Sequence, residues 1–253
     1  MLLRRVIEHF RNQQWTAIGI DFVIVVLGVF IGIQVANWNE ARVDRQRAEA
    51  YLERIDSDLQ TDLRNFRDRI AFWGVVAEYG RQGLAYAETG NAGDTSQWRL
   101  LLAYFQASQV AEYYTTSATW DELKSAGELH LIADVDLRNA LASYYTNAAN
   151  PVLTERPAYR VHVRGMVPID VQDHIWAQCF RTTPSGEQAL VDCPSPISEA
   201  QAAAIVNAIR SDRALMNELR YWMSTMTVAS NIGEDRVANA TQLSSAVALE
   251  LQR

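Results

Sequence analysis

Asp21 is the residue whose setting asks most for a chemical explanation. It lies five residues past the start of Thr16–Trp38, TAIGIDFVIVVLGVFIGIQVANW, a run that holds no other charge. About 20 helical residues rise ~30 Å, enough to cross the hydrocarbon core of a bilayer. A charged side chain at mid-span costs at least ~2.5 kcal/mol, so a carboxyl there is protonated, paired or turned toward protein. Two chemistries follow. One is proton or ion handling, as in single-span subunits of proton-driven motors, which also carry an aspartate in the inner half of their helix. The other is a protonated carboxyl hydrogen-bonded across a helix–helix interface. At ~100° per residue, Gly28, Gly32 and Asn39 fall within about 20° of Asp21. The Gly28-xxx-Gly32 pair lets two backbones approach closely, which makes this stripe a predicted oligomerisation face. The interfacial role is the favoured one, because Asp21 lies near one end of the run. Gln34, Asn37, Asn39 and Glu40 crowd around Trp38 at the other end, placed to hydrogen-bond across an oligomer or to cap the bilayer exit.

Other residue types capable of chemistry lie farther along. Asp170, Asp173, His174 and Cys179 are metal-ligand types, and Asp170 and His174 share a helix face four residues apart. Further nitrogen would have to come from His130 or His162, so solvated polar side chains are the expected reading, and neither a metal nor another cofactor is called for. The chain's two cysteines, Cys179 and Cys193, bracket the turn-forming Thr183-Pro184-Ser185-Gly186. One reading is a hairpin-like loop closed by a disulfide, worth roughly 3 kcal/mol and formed outside the cytosol; the other is two unrelated buried thiols. No Gly-x-Ser-x-Gly elbow and no Gly-rich phosphate loop is present, so a non-enzymatic role is expected. Trp98, Tyr104, Phe105, Tyr113, Tyr114, Trp120, Tyr144, Tyr145 and Tyr159 are numerous enough to line a ligand pocket or simply to fill a core.

These residues need elements to hold them. Net charge is −7 over 253 residues; without the three arginines and two acids of residues 1–38, 20 basic residues face 28 acidic ones. Such a balance repels phosphate backbones, so nucleic acid is not an expected partner. Residues 1–15 read as an amphipathic interfacial segment and 16–38 as the transmembrane helix. Residues 39–150 hold a long helix and the first part of a bundle; residues 151–253 hold an irregular Cys-containing stretch and C-terminal helices. No Gly or Pro occurs between Gly32 and Gly74, so the span continues outward, to about Ala87. Leu52, Ile55, Leu59, Leu63, Phe66, Ile70 and Trp73 form its apolar stripe. Further helices are predicted over 94–112, 116–127, 134–150 and 198–231. Residues 159–163 read as a short strand, a loop or a helix end, and 235–252 as a weak helix or a fraying tail.

Two blocks carry a family likeness. Gly19-Ile20-Asp21, Gly28, Gln34 and Asn37-Trp38-Asn39-Glu40 resemble the N-terminal signature of a bacterial membrane-anchored family catalogued as a domain of unknown function. That signature is an acidic residue, a glycine seven positions on, then small and apolar residues ending in Q-x-N-N-W-N-E. Ala36 replaces the first of its asparagines, and Asp21 stands where glutamate is more usual. Thr119-Trp120-Asp121-Glu122-Leu123-Lys124-Ser125-Ala126-Gly127, with Leu131-Ile132, Leu137-Arg138-Asn139 and Tyr144-Tyr145, is similar to a second block of that family. The likeness covers roughly residues 1–150. It implies architecture and location and brings no reaction.

The expected protein is therefore all-α, with a single N-terminal span and a periplasmic bundle of four to six helices. Its N-terminus is expected in the cytoplasm and its site in the bacterial inner membrane. Its expected partners are the lipid bilayer and either a second copy or another membrane protein. It would act as an oligomeric scaffold or sensor-like module, with a proton-coupled accessory subunit or a periplasmic ligand-binding protein as the alternatives.

Overall fold

The computed structural model describes residues 15–146, 156–183 and 186–252. The amphipathic segment expected before Trp15, the Asn150-Pro151 helix stop and the Pro184-Ser185 turn lie outside the described residues.

Helix α1, Trp15–Thr89, runs unbroken for 75 residues. Good helix formers fill its middle, and no Gly or Pro interrupts residues 33–73. Gly90 ends it in the left-handed conformation, φ 65°, with its N–H donating to the Tyr86 carbonyl at 2.8 Å. The two halves of α1 have opposite surroundings. From Phe22 to Val43 every residue is exposed, whereas Leu52, Ile55, Leu59, Leu63, Phe66, Trp73 and Val76 are buried.

What buries them is chiefly a second long helix at the other end of the chain. Residues 199–211 and 213–250 form the last two helices, α7 and α8, and α8 lies antiparallel along the outer half of α1. Gly80 faces Met223, Ile70 faces Gly233, and the Ser244 hydroxyl donates to Asp56 at 2.6 Å. A methyl added at Gly233 would come within 2.8 Å of Ile70 Cγ1 and 3.1 Å of the Trp73 ring. Of the two readings of 235–252, a weak helix or a fraying tail, the helix holds: α8 continues to Glu250, burying Ala240, Leu243 and Val247. Small residues, Gly80, Gly233 and Ala240 among them, share in this contact, and a search for large apolar side chains undervalues that part of it.

Between these two helices sit the shorter elements. Helix α2 is Gln97–Gln106, capped by Ser96, whose hydroxyl accepts from the Arg99 amide. From Trp98 to Gln106 every residue except Arg99 is buried, as expected of a helix apolar on all sides. It ends well before the expected Glu112, because the chain there bonds elsewhere. Trp222 Nε1 donates to the Ala107 carbonyl at 2.9 Å and Trp73 Nε1 to the Ala111 carbonyl at 2.8 Å. Helix α3 is Ala118–Ser125, followed by a 3-10 turn at Leu129–Leu131. Helix α4, Val135–Thr146, is started by Asp134, which accepts from the Asp136 and Leu137 amides at 3.0 Å.

The stretch left open at 159–163 is helical: α5 is Ala158–Met166 and α6 is Ile169–Gln178. Tyr159 and Val163, four apart, face the core while Val161 faces out, so the alternation in the sequence is one face of a helix. A two-stranded hairpin follows, β1 (Phe180–Thr182) antiparallel to β2 (Gln188–Leu190). The fold is thus mostly helical, with one small hairpin, and among the described residues seven α-helices accompany α1 where a bundle of four to six was expected. Ser198 and Gln201 form a reciprocal capping box at the start of α7, Glu199–Ser211. Side chains from both 39–150 and 151–253 fill one hydrophobic core, running from Leu52 to Val247.

Candidate functional site

The sequence-predicted interface stripe stands on the bare half of α1. Asp21 is partly exposed, and Gly28, Gly32, Gln34, Asn37, Trp38 and Asn39 are all exposed. Phe22 is 69% exposed and Phe30 57%. A methyl placed on Gly19, Gly28 or Gly32 would meet nothing within 4 Å. Helical geometry brings Asp21, Gly28, Gly32 and Asn39 to one face, and no described residue of the chain covers it. This helix is also long and apolar enough to cross a membrane.

A second cluster, at the heart of the head, is invisible to motif reading. Asp62 is fully buried on α1. Its carboxylate accepts from the Thr116 amide at 2.8 Å and from the Tyr144 hydroxyl at 2.7 Å, tying the 107–117 loop and α4 to the long helix. Burial pushes the Asp62 carboxyl above the usual carboxylate range, against the pull of the Tyr144 and Thr116 hydrogen bonds. Tyr113, Tyr144 and Tyr145 all titrate above the ordinary phenol range, chiefly through burial, and for Tyr144 the Asp62 hydrogen bond adds to it. Tyr145 stacks on Trp120 with ring centroids 5.3 Å apart. Among the described residues its hydroxyl and Asp58 Oδ2 are buried without a hydrogen-bond partner. One signal could have found Asp62: it falls in register with the apolar stripe, seven after Ile55, three after Leu59 and four before Phe66.

The two cysteines are joined. Cys179 and Cys193 form a disulfide with Cα atoms 5.2 Å apart, closing the base of the β1–β2 hairpin. The metal reading is not assembled as its spacing allowed: Asp170 and Asp173 do not join His174 in a ligand cluster among the described residues. His174 instead lies with Cys179 and Cys193, ligand atoms within 4.8 Å of one another, but disulfide sulfurs lack the thiolate a metal needs. The His174 Nε2 lies 2.8 Å from the Pro194 carbonyl, and His130 Nδ1 lies 3.3 Å from the Gly127 carbonyl. His162 sits between two carboxylates, Nε2 3.3 Å from Asp212 and Nδ1 3.0 Å from Glu218. A neutral imidazole can donate to only one of them, an imidazolium to both. The Leu215 amide at the start of α8, with His162 adding to it, holds the Asp212 carboxyl below the usual range.

The aromatic residues mostly fill the core. Tyr104 donates to the Gly83 carbonyl and Tyr159 to the Tyr104 carbonyl, at 2.8 and 2.7 Å. Tyr144 also lines a cavity of about 750 Å³ between α4 and the second half of α8, together with Leu137, Leu243, Asp134, Asp235 and Arg236. Its volume suits a small ligand. Its rim is predominantly acidic.

No protein-family model, no curated protein and no solved structure matches the chain. The family likeness drawn from residues 19–40 and 119–145 therefore rests on those residues alone.

Proposed function

We propose that the chain is a single-span membrane anchor whose helical head lies outside the cytoplasm and which self-associates through the Asp21–Gly28–Gly32 face of α1. In a bacterial cell that membrane is the inner one and the head is periplasmic. The role is that of a non-enzymatic scaffold or sensor-like module, in which α1 joins the head to the lipid.

One observation carries this reading: α1 is one uninterrupted helix, packed against α8 beyond Leu52 and bare from Phe22 to Val43. A bare apolar helix of this length is unfavourable in water and stable in lipid. The Cys179–Cys193 disulfide supports an oxidising compartment for the head. The Gly28/Gly32 face supports a second helix as neighbour, since lipid tails have no need of a small-residue groove. Asp21 on the same face supplies a hydrogen-bonding group whose favourable environment is protein.

The test has two arms. Membrane fractionation of cells making the full chain should place it in the detergent-extracted pellet, resistant to carbonate washing; release by carbonate would overturn the anchor. Chemical crosslinking in mild detergent should then give a discrete oligomer that Gly28→Leu and Gly32→Leu each weaken. Oligomers unchanged in both variants would refute the interface.

A further inference from the structure

We infer that a cavity between α1, the 108–114 loop and α5 binds a small soluble oxyanion carrying two or more negative charges. The cavity measures about 440 Å³, and Arg69, Arg156 and Arg160 all line it, with Gln188 of β2 and Tyr114.

The charge balance makes Arg69 and Arg160 unusual. This chain carries seven more acids than bases, so carboxylates to neutralise an arginine are plentiful. Yet Arg69 donates to neutral acceptors, Gln188 Oε1 at 3.1 Å and the Gly186 carbonyl at 3.5 Å. Arg160 donates to the Ser108 carbonyl at 2.8 Å. Among the described residues the ion pairs belong to other cations, and none holds Arg69 or Arg160. One turn along α5, Arg164 repeats the pattern. It donates to Ser108 Oγ at 3.0 Å and Gln109 Oε1 at 3.1 Å, with its guanidinium over the rings of Phe105 and Trp176.

Removing cations from water without a counter-charge is unfavourable. The cost shows in Arg164, pushed down to about 9 by burial and by the charge of Arg160. Burial lowers Arg160 as well. Among the described residues one carboxylate lines the cavity, Glu112, and it accepts from the Tyr114 hydroxyl at 3.0 Å. Asp68 and Glu187 line an adjoining hollow that shares Arg69, Glu112 and Tyr114 with the cavity. Among the described residues that line the cavity, positive charge therefore outweighs negative. Guanidinium forks match the paired oxygens of phosphate and carboxylate, so a phosphate ester, a pyrophosphate or a polycarboxylate is the chemistry this site selects.

Position narrows the source. Arg69 lies thirty-one residues beyond Trp38, which on a straight helix is roughly 45 Å past the bilayer exit. A lipid headgroup of the protein's own membrane does not reach that far. That exclusion rests on the membrane reading proposed above; the cavity and its arginines do not.

Isothermal titration of the full chain in neutral detergent at low ionic strength, with pyrophosphate and with citrate as separate probes, tests the proposal. At least one probe should bind saturably at one site per chain, and the stronger of the two assigns phosphate or carboxylate chemistry. Arg69→Gln and Arg156→Gln should each weaken that binding by roughly tenfold or more. Arg81→Gln, on an exposed face of α1, should leave it unchanged. Doping the micelles with phosphatidylglycerol should not alter the isotherm. Absence of saturable binding by both probes in protein with intact helical circular dichroism overturns the site. Undiminished affinity in the Arg69 and Arg156 variants does the same, and competition by the lipid overturns the soluble ligand. Fractionation reports on the anchor separately, so failure of one reading does not mimic failure of the other.

Discussion

Replacing Asp62 with asparagine isolates the contribution of one buried charge to the head. Asp62 is held by the Thr116 amide and the Tyr144 hydroxyl, and burial raises its carboxyl above the range it has in an unfolded chain, about 3.9. Between the unfolded value and the raised one, the folded protein keeps a proton the unfolded chain has released. Stability then falls as pH rises through that window, by about 1.4 kcal/mol for each unit of the shift, and stays level above it. The Asp62→Asn side chain carries no charge and keeps an oxygen to accept from one donor, so the variant's stability lacks this slope. Other carboxylates titrate alike in both proteins, and the difference between the two curves belongs to position 62. Asp62→Ala, by contrast, strands the buried Tyr144 hydroxyl at every pH, at about 1–3 kcal/mol, and leaves the half-buried Thr116 amide without its acceptor. The assay is urea unfolding of the full chain in detergent, followed by tryptophan fluorescence at a series of pH values from about 4 to 8. If the Asp62→Asn and wild-type curves run parallel across that range, Asp62 is ionised without penalty, and its placement as a costly buried hub is refuted.

Two further outcomes follow from the packing. Gly233→Leu forces side-chain atoms into Ile70 and Trp73 and should lower stability by about 1–3 kcal/mol or more. Gly74→Ala, where nothing lies within 4 Å, should raise it by about 0.5–1 kcal/mol; thermal unfolding that ranks the two alike would refute the close α1–α8 contact. Removing the disulfide by Cys193→Ser should cost about 3 kcal/mol for a loop closed over 14 residues. Reduction of the wild type should match that loss, and a reductant should have no added effect on the variant.

What the sequence made legible was whatever large apolar side chains mark at helical spacing. The continuity of α1 followed from the missing Gly and Pro and from the Leu52-to-Trp73 stripe, and the Cys179–Cys193 hairpin from its turn residues. What it hid was carried by small residues and by long-range hydrogen bonds. Ala229, Gly233 and Ala240 of α8 look polar or indifferent in a line of text, yet their lack of bulk is what lets α8 lie close along α1. The end of α2 depended on indole donors from Trp73 and Trp222, thirty-eight and one hundred and fifteen residues away from the carbonyls they meet. Asp62 sat in plain register with the apolar stripe, but only its distant partners Thr116 and Tyr144 distinguish a buried hub from a misplaced surface acid. The arginine cavity is assembled from α1, a loop, α5 and a hairpin, which no local pattern joins.

The continuity of α1 constrains how such a head communicates with a membrane. A 75-residue helix spans roughly 110 Å, and its outer half is clamped by α8 from Met223 at Gly80 to Ser244 at Asp56. Close-packed helix pairs move as bodies rather than bending locally, so on the proposed reading a change at the arginine cavity would reach the membrane as a rotation or tilt of α1. Between Trp38 and Leu52 the helix has no breaker at which to absorb it. A rotation arriving at the Gly28/Gly32 face would change which side chains two neighbouring spans present to each other. If the two proposed sites are both real, they would act on one equilibrium, and by linkage a ligand that favours the oligomer must bind the oligomer more tightly than the monomer. If pyrophosphate or citrate affinity is the same in wild type and in an oligomer-deficient Gly28→Leu variant, the two sites are not coupled and α1 serves only as a tether.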